Sequence, residues 1–501
     1  MYRTLCTLFL LAVACMGPLA LAADGSTTHR LIIRLKNSDT RSAQALRPSR
    51  HIAAMSRLAG HPLSFVQRLD DHTLVLRLPQ EMPLDEVRRI AERMRADPAV
   101  AASEPDRRVY PALVPNDRFY PDQWYLFDAT SGISADFAWE RSTGNSAIVI
   151  AALDSGIIAH SDLDTAGRVL PGYDFISDPQ TANDGDGRDA DPTDPGDEVA
   201  ADECGPGTPA EPSSWHGLSV AGVMIATADN NQDMAGIDFA ARLLPVRVLG
   251  KCGGFISDII AAMRWAAGLP VPGVPVNPNP AHIINLSLGG DGGCTAQEQR
   301  AIDEVVASGA VVVVAAGNGA GDVALQTPAN CDKVITVTAV GKSADLASYA
   351  NRGAAVDLSA PGGDGTQGIL TLFNTGSPGP AADSLAFVQG TSFATAQVSA
   401  VAALMLAVND SLNAPAIEQI LKSTTRAFPA GSTCTPSNCG TGLLDAEAAL
   451  AAASAWVGGG GGGGGGGCAL GAARRPDLLW LLFFFVPLAR RLCRVLVTDR
   501  C

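Results

Sequence analysis

Four short segments of this chain carry the side-chain types that nucleophilic catalysis uses. An apolar run at 148–153 ends in Asp154, followed by Ser155, Gly156 and Ile157. An acid at the end of a buried strand can orient a histidine and stabilise its charged form. His216 stands between Trp215 and Gly217, and a glycine beside a general base leaves room for a substrate. Ser392 sits in Gly390-Thr391-Ser392-Phe393-Ala394, a tight turn opening an apolar helix. There the first N–H groups and the positive dipole end favour an oxyanion. Asn318 follows four valines, two alanines and a glycine, and its amide can donate to the same oxyanion.

Each segment alone has a plainer explanation. Acids are common at strand ends, a histidine or serine at a helix start serves as a cap or packs in the core, and asparagine after glycine belongs to turns. Their coincidence in one chain is what points to chemistry. The set comprises a hydroxyl nucleophile, an imidazole base, a carboxylate behind it and an amide donor.

The elements around these residues are of a kind that positions them. Apolar strands at 148–153, 243–249, 283–288, 311–316 and 334–340 alternate with helical patterns, including 216–226 and a capping box at Thr295–Glu298 that opens a helix to Ser308. This predicts an α/β fold, a doubly wound, mostly parallel sheet with helices on both faces. In such sheets a site forms beyond the carboxyl ends of the strands, where the four polar segments stand. Before it, strands at 31–35 and 73–78, a helix at 83–96 and a closing segment at 100–106 form a small α+β unit.

Composition narrows the setting. The formal net charge of −15 argues against nucleic acid as a partner. Between Asp174 and Glu203 stand eleven acidic residues and one arginine, Arg188. Within that stretch Asp184, Asp186, Asp189 and Asp191, spaced by glycines, are candidate ligands for calcium, which takes several oxygens. A second candidate loop is 229–233. At the N-terminus, Arg3, an apolar run at 5–14 and Ala20-Leu21-Ala22 form an export signal. Export predicts oxidised cysteines. Six of them, Cys204, Cys252, Cys294, Cys331, Cys434 and Cys439, fall in the central region, and pairing between chain neighbours is the expectation among the connectivities that six allow. Ten glycines at 458–467 read as a tether, followed by an apolar stretch at 478–489 and then Arg490, Arg491 and Arg494. That stretch is short of the ~20 residues of a spanning helix.

Taken together, Asp-Ser-Gly-Ile at 154–157, His-Gly-x-x-Val-Ala-Gly at 216–222, Ala-Ala-Gly-Asn at 315–318 and Gly-Thr-Ser-x-Ala at 390–394 resemble the motifs of the subtilisin family of serine peptidases. The order Asp, His, Ser is the one known for that family. The resemblance covers roughly residues 115–455. It implies a serine-type endopeptidase with Ser392 as nucleophile, His216 as general base, Asp154 as orienting carboxylate and Asn318 as oxyanion donor. It further implies that Ser287-Leu288-Gly289 pairs with substrate backbone and that Ala315-Ala316-Gly317 forms a wall of the primary side-chain pocket. Ser155, Leu218, Ser219, Ala396 and Gln397 depart from the usual residues without removing a catalytic group.

The expected organisation is a signal peptide at 1–23, a propeptide at 24–110 resembling the inhibitory propeptides of the family, a peptidase domain at 111–457, the glycine linker at 458–467 and a tail at 468–501. The tail resembles sorting signals of Gram-negative bacteria, implying either removal near Cys468 or anchoring to a membrane. The expected product is an extracellular or cell-surface enzyme acting on protein or peptide substrates, inhibited by its own propeptide and freed by self-cleavage between Arg108 and Asp117. The few charges around the expected pocket point to broad cleavage after apolar residues. The rival expectation is a catalytically silent surface binding module that keeps the fold.

Overall fold

The computed structural model describes residues 27–36, 48–106, 113–163 and 167–457. The expected signal peptide, glycine linker and C-terminal tail lie outside the described residues, as do 107–112 in the expected cleavage window.

The N-terminal part folds as the alternating patterns require. Strands Thr27–Leu35, Ser64–Arg68, Thr73–Pro83 and Val100–Pro105 form an antiparallel sheet, with Thr27–Leu35 pairing both Thr73–Pro83 and Val100–Pro105. The helices Pro48–Ala59 and Leu84–Met94 pack against each other. Leu31, Ile33, Leu76, Leu78, Val87, Ile90 and Met94 share one small core. The closing segment is tied down by Arg30, whose Nε lies 2.9 Å from Asp106 Oδ2.

The larger part is built on a seven-stranded sheet. From one edge to the other its strands are Leu358–Pro361, Ile335–Val340, Val311–Ala315, Ile283–Leu286, Val149–Asp154, Arg242–Arg247 and Tyr173–Asp174. Every pairing among them is parallel. The central strands are continuous apolar runs because both faces are covered. Ile150, Ala152 and Val313 face a core shared with the helices His216–Ile225 and Thr391–Val408, while Val149, Ala151, Leu153, Val312 and Val314 face a core shared with Ile256–Ala266 and Ala296–Ala307. Thr391–Val408 is the one helix among the described residues long and apolar enough to cross a membrane. It is apolar all round because protein buries it on nearly every side.

The expected capping box is present, with Thr295 Oγ1 accepting from Glu298 N at 3.3 Å and Glu298 Oε2 accepting from Thr295 N at 2.9 Å. The disulfides join chain neighbours, Cys204–Cys252, Cys294–Cys331 and Cys434–Cys439, as expected.

Candidate active site

Two of the four chemical segments, and the expected substrate segment at 287–289, leave the sheet at the carboxyl ends of its strands. Asp154 ends its strand, Ser287 follows the end of Ile283–Leu286, and Asn318 stands three residues past Val311–Ala315. The helices that begin at His216 and Thr391 close over these ends.

His216 is the first residue of its helix, preceded by Trp215 in the left-handed region at φ 47°. Trp215 holds that conformation because its ring is fully buried and its Nε1 donates to Gly376 O at 3.0 Å. The helix start comes so close to the Asp154 turn that a Cβ on Gly217 would lie 2.0 Å from Gly156 O, so only glycine fits there. This approach lets His216 Nδ1 meet Asp154 Oδ1 at 2.6 Å. Asp154 is buried, and the same oxygen accepts from Ser155 N at 2.8 Å. Burial pushes the His216 pKa down, but the charge and hydrogen bond of Asp154, helped by Asp197 and Asp194, outweigh it and leave it raised.

Ser392 is the second residue of Thr391–Val408, so its N–H is among the first-turn donors with no intrahelical acceptor. Its Oγ donates to Ser287 O at 3.2 Å. That bond directs the hydroxyl hydrogen at Ser287 O and not at the imidazole, and catalytic hydrogen bonds commonly tighten only in the substrate complex. Asn318 has its amide orientation fixed by chemistry: Oδ1 accepts from Thr391 N at 3.0 Å and from Thr391 Oγ1 at 2.9 Å. Its Nδ2 is thereby left as a donor beside the Ser392 turn.

These residues face one cleft of about 520 Å³, lined among others by His216, Ser287, Leu288, Gly289, Ala315, Gly317, Asn318 and Ser392. Five of the six expected substrate-binding residues are thus brought together. Ala316 is not among the lining residues. Its side chain, directly after the strand Val311–Ala315, is fully buried in the core shared with Val312 and Val314. It serves through its backbone, its carbonyl accepting from Asn351 Nδ2 at 2.9 Å.

Several contributors escaped sequence reading. Asn285 Nδ2 donates to Ser287 Oγ, and Ser399 Oγ donates to Asn285 Oδ1, both at 2.9 Å, tying the substrate strand to the Ser392 helix. Asp194 accepts from Ser155 Oγ at 2.7 Å, and that Oγ accepts from Gly217 N at 3.0 Å. Serine and asparagine in a strand or helix carry no local signal of such long-range pairing, and Asp194 was one aspartate among many.

No metal site is shown at the four aspartates expected to bind calcium, Asp184, Asp186, Asp189 and Asp191. Among the described residues no three His, Cys, Asp or Glu side chains are grouped to hold a metal. Asp184 pairs with the buried Arg247, whose Nη1 lies 2.6 Å from Asp184 Oδ2 and also contacts Asp174. A guanidinium already occupying that carboxylate repels a cation. Asp184 Oδ1 accepts from Asp186 N, Asp189 Oδ1 from Asp191 N, and Asp191 Oδ1 from Thr193 N, so successive carboxylates support the turns of their own loop. The 229–233 loop likewise closes on protein groups: Asp162 accepts from Asn230 Nδ2 at 2.7 Å and Met234 N at 3.0 Å, and Asp117 from Asp229 N at 2.8 Å.

Comparison with known proteins agrees with this geometry. The model of the subtilase family matches residues 145–443. An "Extracellular protease" of Xanthomonas campestris pv. campestris is 42% identical over 86% of this chain and 74% of its own length. An "Extracellular basic protease" of Dichelobacter nodosus is 37% identical over 86% of this chain and 72% of its own. Among solved structures, one titled for proteases from Pseudoalteromonas arctica superposes with a TM-score of 0.66 at 46% identity, covering 68% of this chain and all of that one.

Proposed function

The chain belongs to the subtilase family and is a serine endopeptidase, and on that premise we propose that Ser392, His216, Asp154 and Asn318 carry out its reaction. The observation that carries the assignment is the 2.6 Å contact of His216 Nδ1 with a buried Asp154 beside a cleft that Ser392 and Asn318 also line.

The substrate peptide lies along Ser287-Leu288-Gly289, pairing with it as an added strand. Ser392 Oγ swings from Ser287 O to His216 Nε2, gives up its proton there and bonds to the carbonyl carbon. The carbonyl oxygen becomes an oxyanion held by the Ser392 N–H and Asn318 Nδ2. Asp154 keeps Nδ1 protonated and stabilises the imidazolium without taking its proton. The C–N bond then breaks as His216 passes its proton to the leaving amine. Water attacks the remaining ester by the same route, giving the new carboxyl terminus and free Ser392.

Export follows from the apolar N-terminal segment and from relatives named as extracellular. The small N-terminal unit, 24–110, acts as the inhibitory propeptide of the 111–457 domain, and the enzyme cuts between them. The segment after the cut is well anchored: Asn231 N donates to Asn116 Oδ1 at 2.6 Å, and Asp117 is buried. Cleavage therefore falls on the N-terminal side of Asn116. The tail at 468–501, beyond the glycine linker, tethers the precursor to the membrane of a Gram-negative cell or is removed there. Structural calcium is general among subtilisins, and no ligand set for it is assigned in this chain.

The test is expression of wild type and Ser392→Ala in an exporting host, with N-termini read by mass spectrometry. Cutting of the wild type before Asn116, with the variant left uncut, is the expected result. Identical trimming of both would assign maturation to another protease.

A further inference from the structure

Among the polar side chains of the cleft that the reaction above does not use, Gln326 is the one set between the two walls that carry Gly289 and Gly317. Gln326 lines it together with Leu288, Gly289, Ala315 and Gly317. The backbone of Gln326–Thr327 pairs antiparallel with Gly290–Asp291, directly after the substrate strand, which fixes Gln326 relative to that wall. The disulfide Cys294–Cys331 closes the loop that carries it.

The orientation of the amide is set from behind. Gln326 Nε2 donates to Asp291 Oδ1 at 2.5 Å. The opposite end, Oε1, lies 2.9 Å from the position a Cβ on Gly317 would take and 3.9 Å from that on Gly289. These glycines belong to the two facing walls, so the oxygen stands between them. Asn351 Nδ2 also approaches Gly317, but it donates to Ala316 O. Among the described residues no donor reaches Gln326 Oε1, and no lysine or arginine pairs with Asp291.

We propose that Gln326, backed by Asp291, recognises the substrate side chain on the acyl side of the scissile bond and selects a long one ending in a hydrogen-bond donor, lysine foremost. This rests on the peptidase reading of the cleft, since it places that side chain between the 287–289 and 315–317 walls. An apolar side chain filling the pocket would strip water from Oε1 and leave the acceptor unpaired, whereas a donor satisfies it. Asp291, accepting from the same amide, polarises it and strengthens Oε1 as an acceptor. Its unpaired charge also favours a cationic side chain over a neutral one. This preference differs from the cleavage after apolar residues expected from the sequence.

The experiment compares kcat/KM on matched peptide p-nitroanilides differing only in the residue before the scissile bond, lysine against norleucine, for the mature enzyme, Gln326→Leu and Asp291→Asn. Active sites are counted with a fluorophosphonate so that misfolded protein does not enter the rates. The lysine-to-norleucine ratio is expected to exceed one in wild type and to fall about tenfold in Gln326→Leu, the worth of one hydrogen bond to a charged donor. A smaller fall is expected in Asp291→Asn. An unchanged ratio in both variants, or a wild type that prefers norleucine, overturns the proposal. A wild type that cleaves neither substrate and takes no label overturns the peptidase reading instead, and this proposal falls with it.

Discussion

The hydroxyl of Ser155 donates to the Asp194 carboxylate at 2.7 Å, and Asp194 is as deeply buried as the Asp154 that Ser155 follows. Because Ser155 Oγ also accepts from Gly217 N, the pair clamps the turn after Asp154 to the start of the His216 helix. Backbone bonds add to the clamp: Ile157 N donates to Pro192 O and Asp194 N to Ile157 O, both at 3.0 Å. Asp194→Ala is expected to lower kcat/KM about tenfold, while Asp194→Asn, which keeps an acceptor, recovers most of it. Equal losses in the two variants would mean that the charge and not the clamp matters.

The pH profile offers a second check. With its pKa raised by Asp154, and further by Asp194 and Asp197, His216 stays protonated, and so unable to act as base, up to a higher pH than an ordinary histidine. The acid limb of kcat/KM is thus expected above the usual ~6.5. Asp194→Asn should move it down, since a carboxylate that favours the imidazolium is removed. An acid limb unmoved by this change contradicts the electrostatic role.

Asn318→Ala tests the oxyanion donor. The expected loss is on the order of 10²–10³ in kcat with little change in KM, because the bond forms only as the oxygen gains charge. That magnitude is carried over from a subtilisin and does not come from the present geometry. Loss confined to KM would place Asn318 in ground-state binding.

Stability should fall as pH rises through the weakly acidic range. Burial pushes Asp162, Asp194 and Asp238 each up to about 6. Carboxyls that titrate higher in the folded than in the unfolded chain bind more protons when folded, so folding loses free energy between about pH 4 and pH 6. Asp238 Oδ2 is buried without a hydrogen-bond partner, which makes it the clearest of the three. In a Ser392→Ala background, urea unfolding at about pH 4.5 and about pH 7.5 should show a smaller difference for Asp238→Asn than for its parent. No change in that difference would refute the assignment.

Much of the frame was legible in the chain because its signals are local. The valine run at 311–314 and the apolar run at 148–153 read as buried parallel strands, and the motifs at 154, 216, 318 and 390–394 each sit beside their own turn. What was not legible depends on which side a residue faces or on distant partners. Ala316 reads like Ala315, yet its side chain joins the core beside Val312 and Val314. The sequence gives no sign that Asp184 pairs with Arg247, far along the chain, which the fold brings against it. Gln326 has no motif at all; its meaning comes from the ladder to Asp291 and from two glycines that leave room for its oxygen.

The central claim is that Ser392 is a nucleophile activated by His216. Its most direct test is reaction of the mature protein with a fluorophosphonate, followed by mass spectrometry of the peptide containing Ser392. One adduct on Ser392 is predicted, absent from Ser392→Ala and formed far more slowly in His216→Ala. An unlabelled wild type, or label that persists in Ser392→Ala, would contradict it.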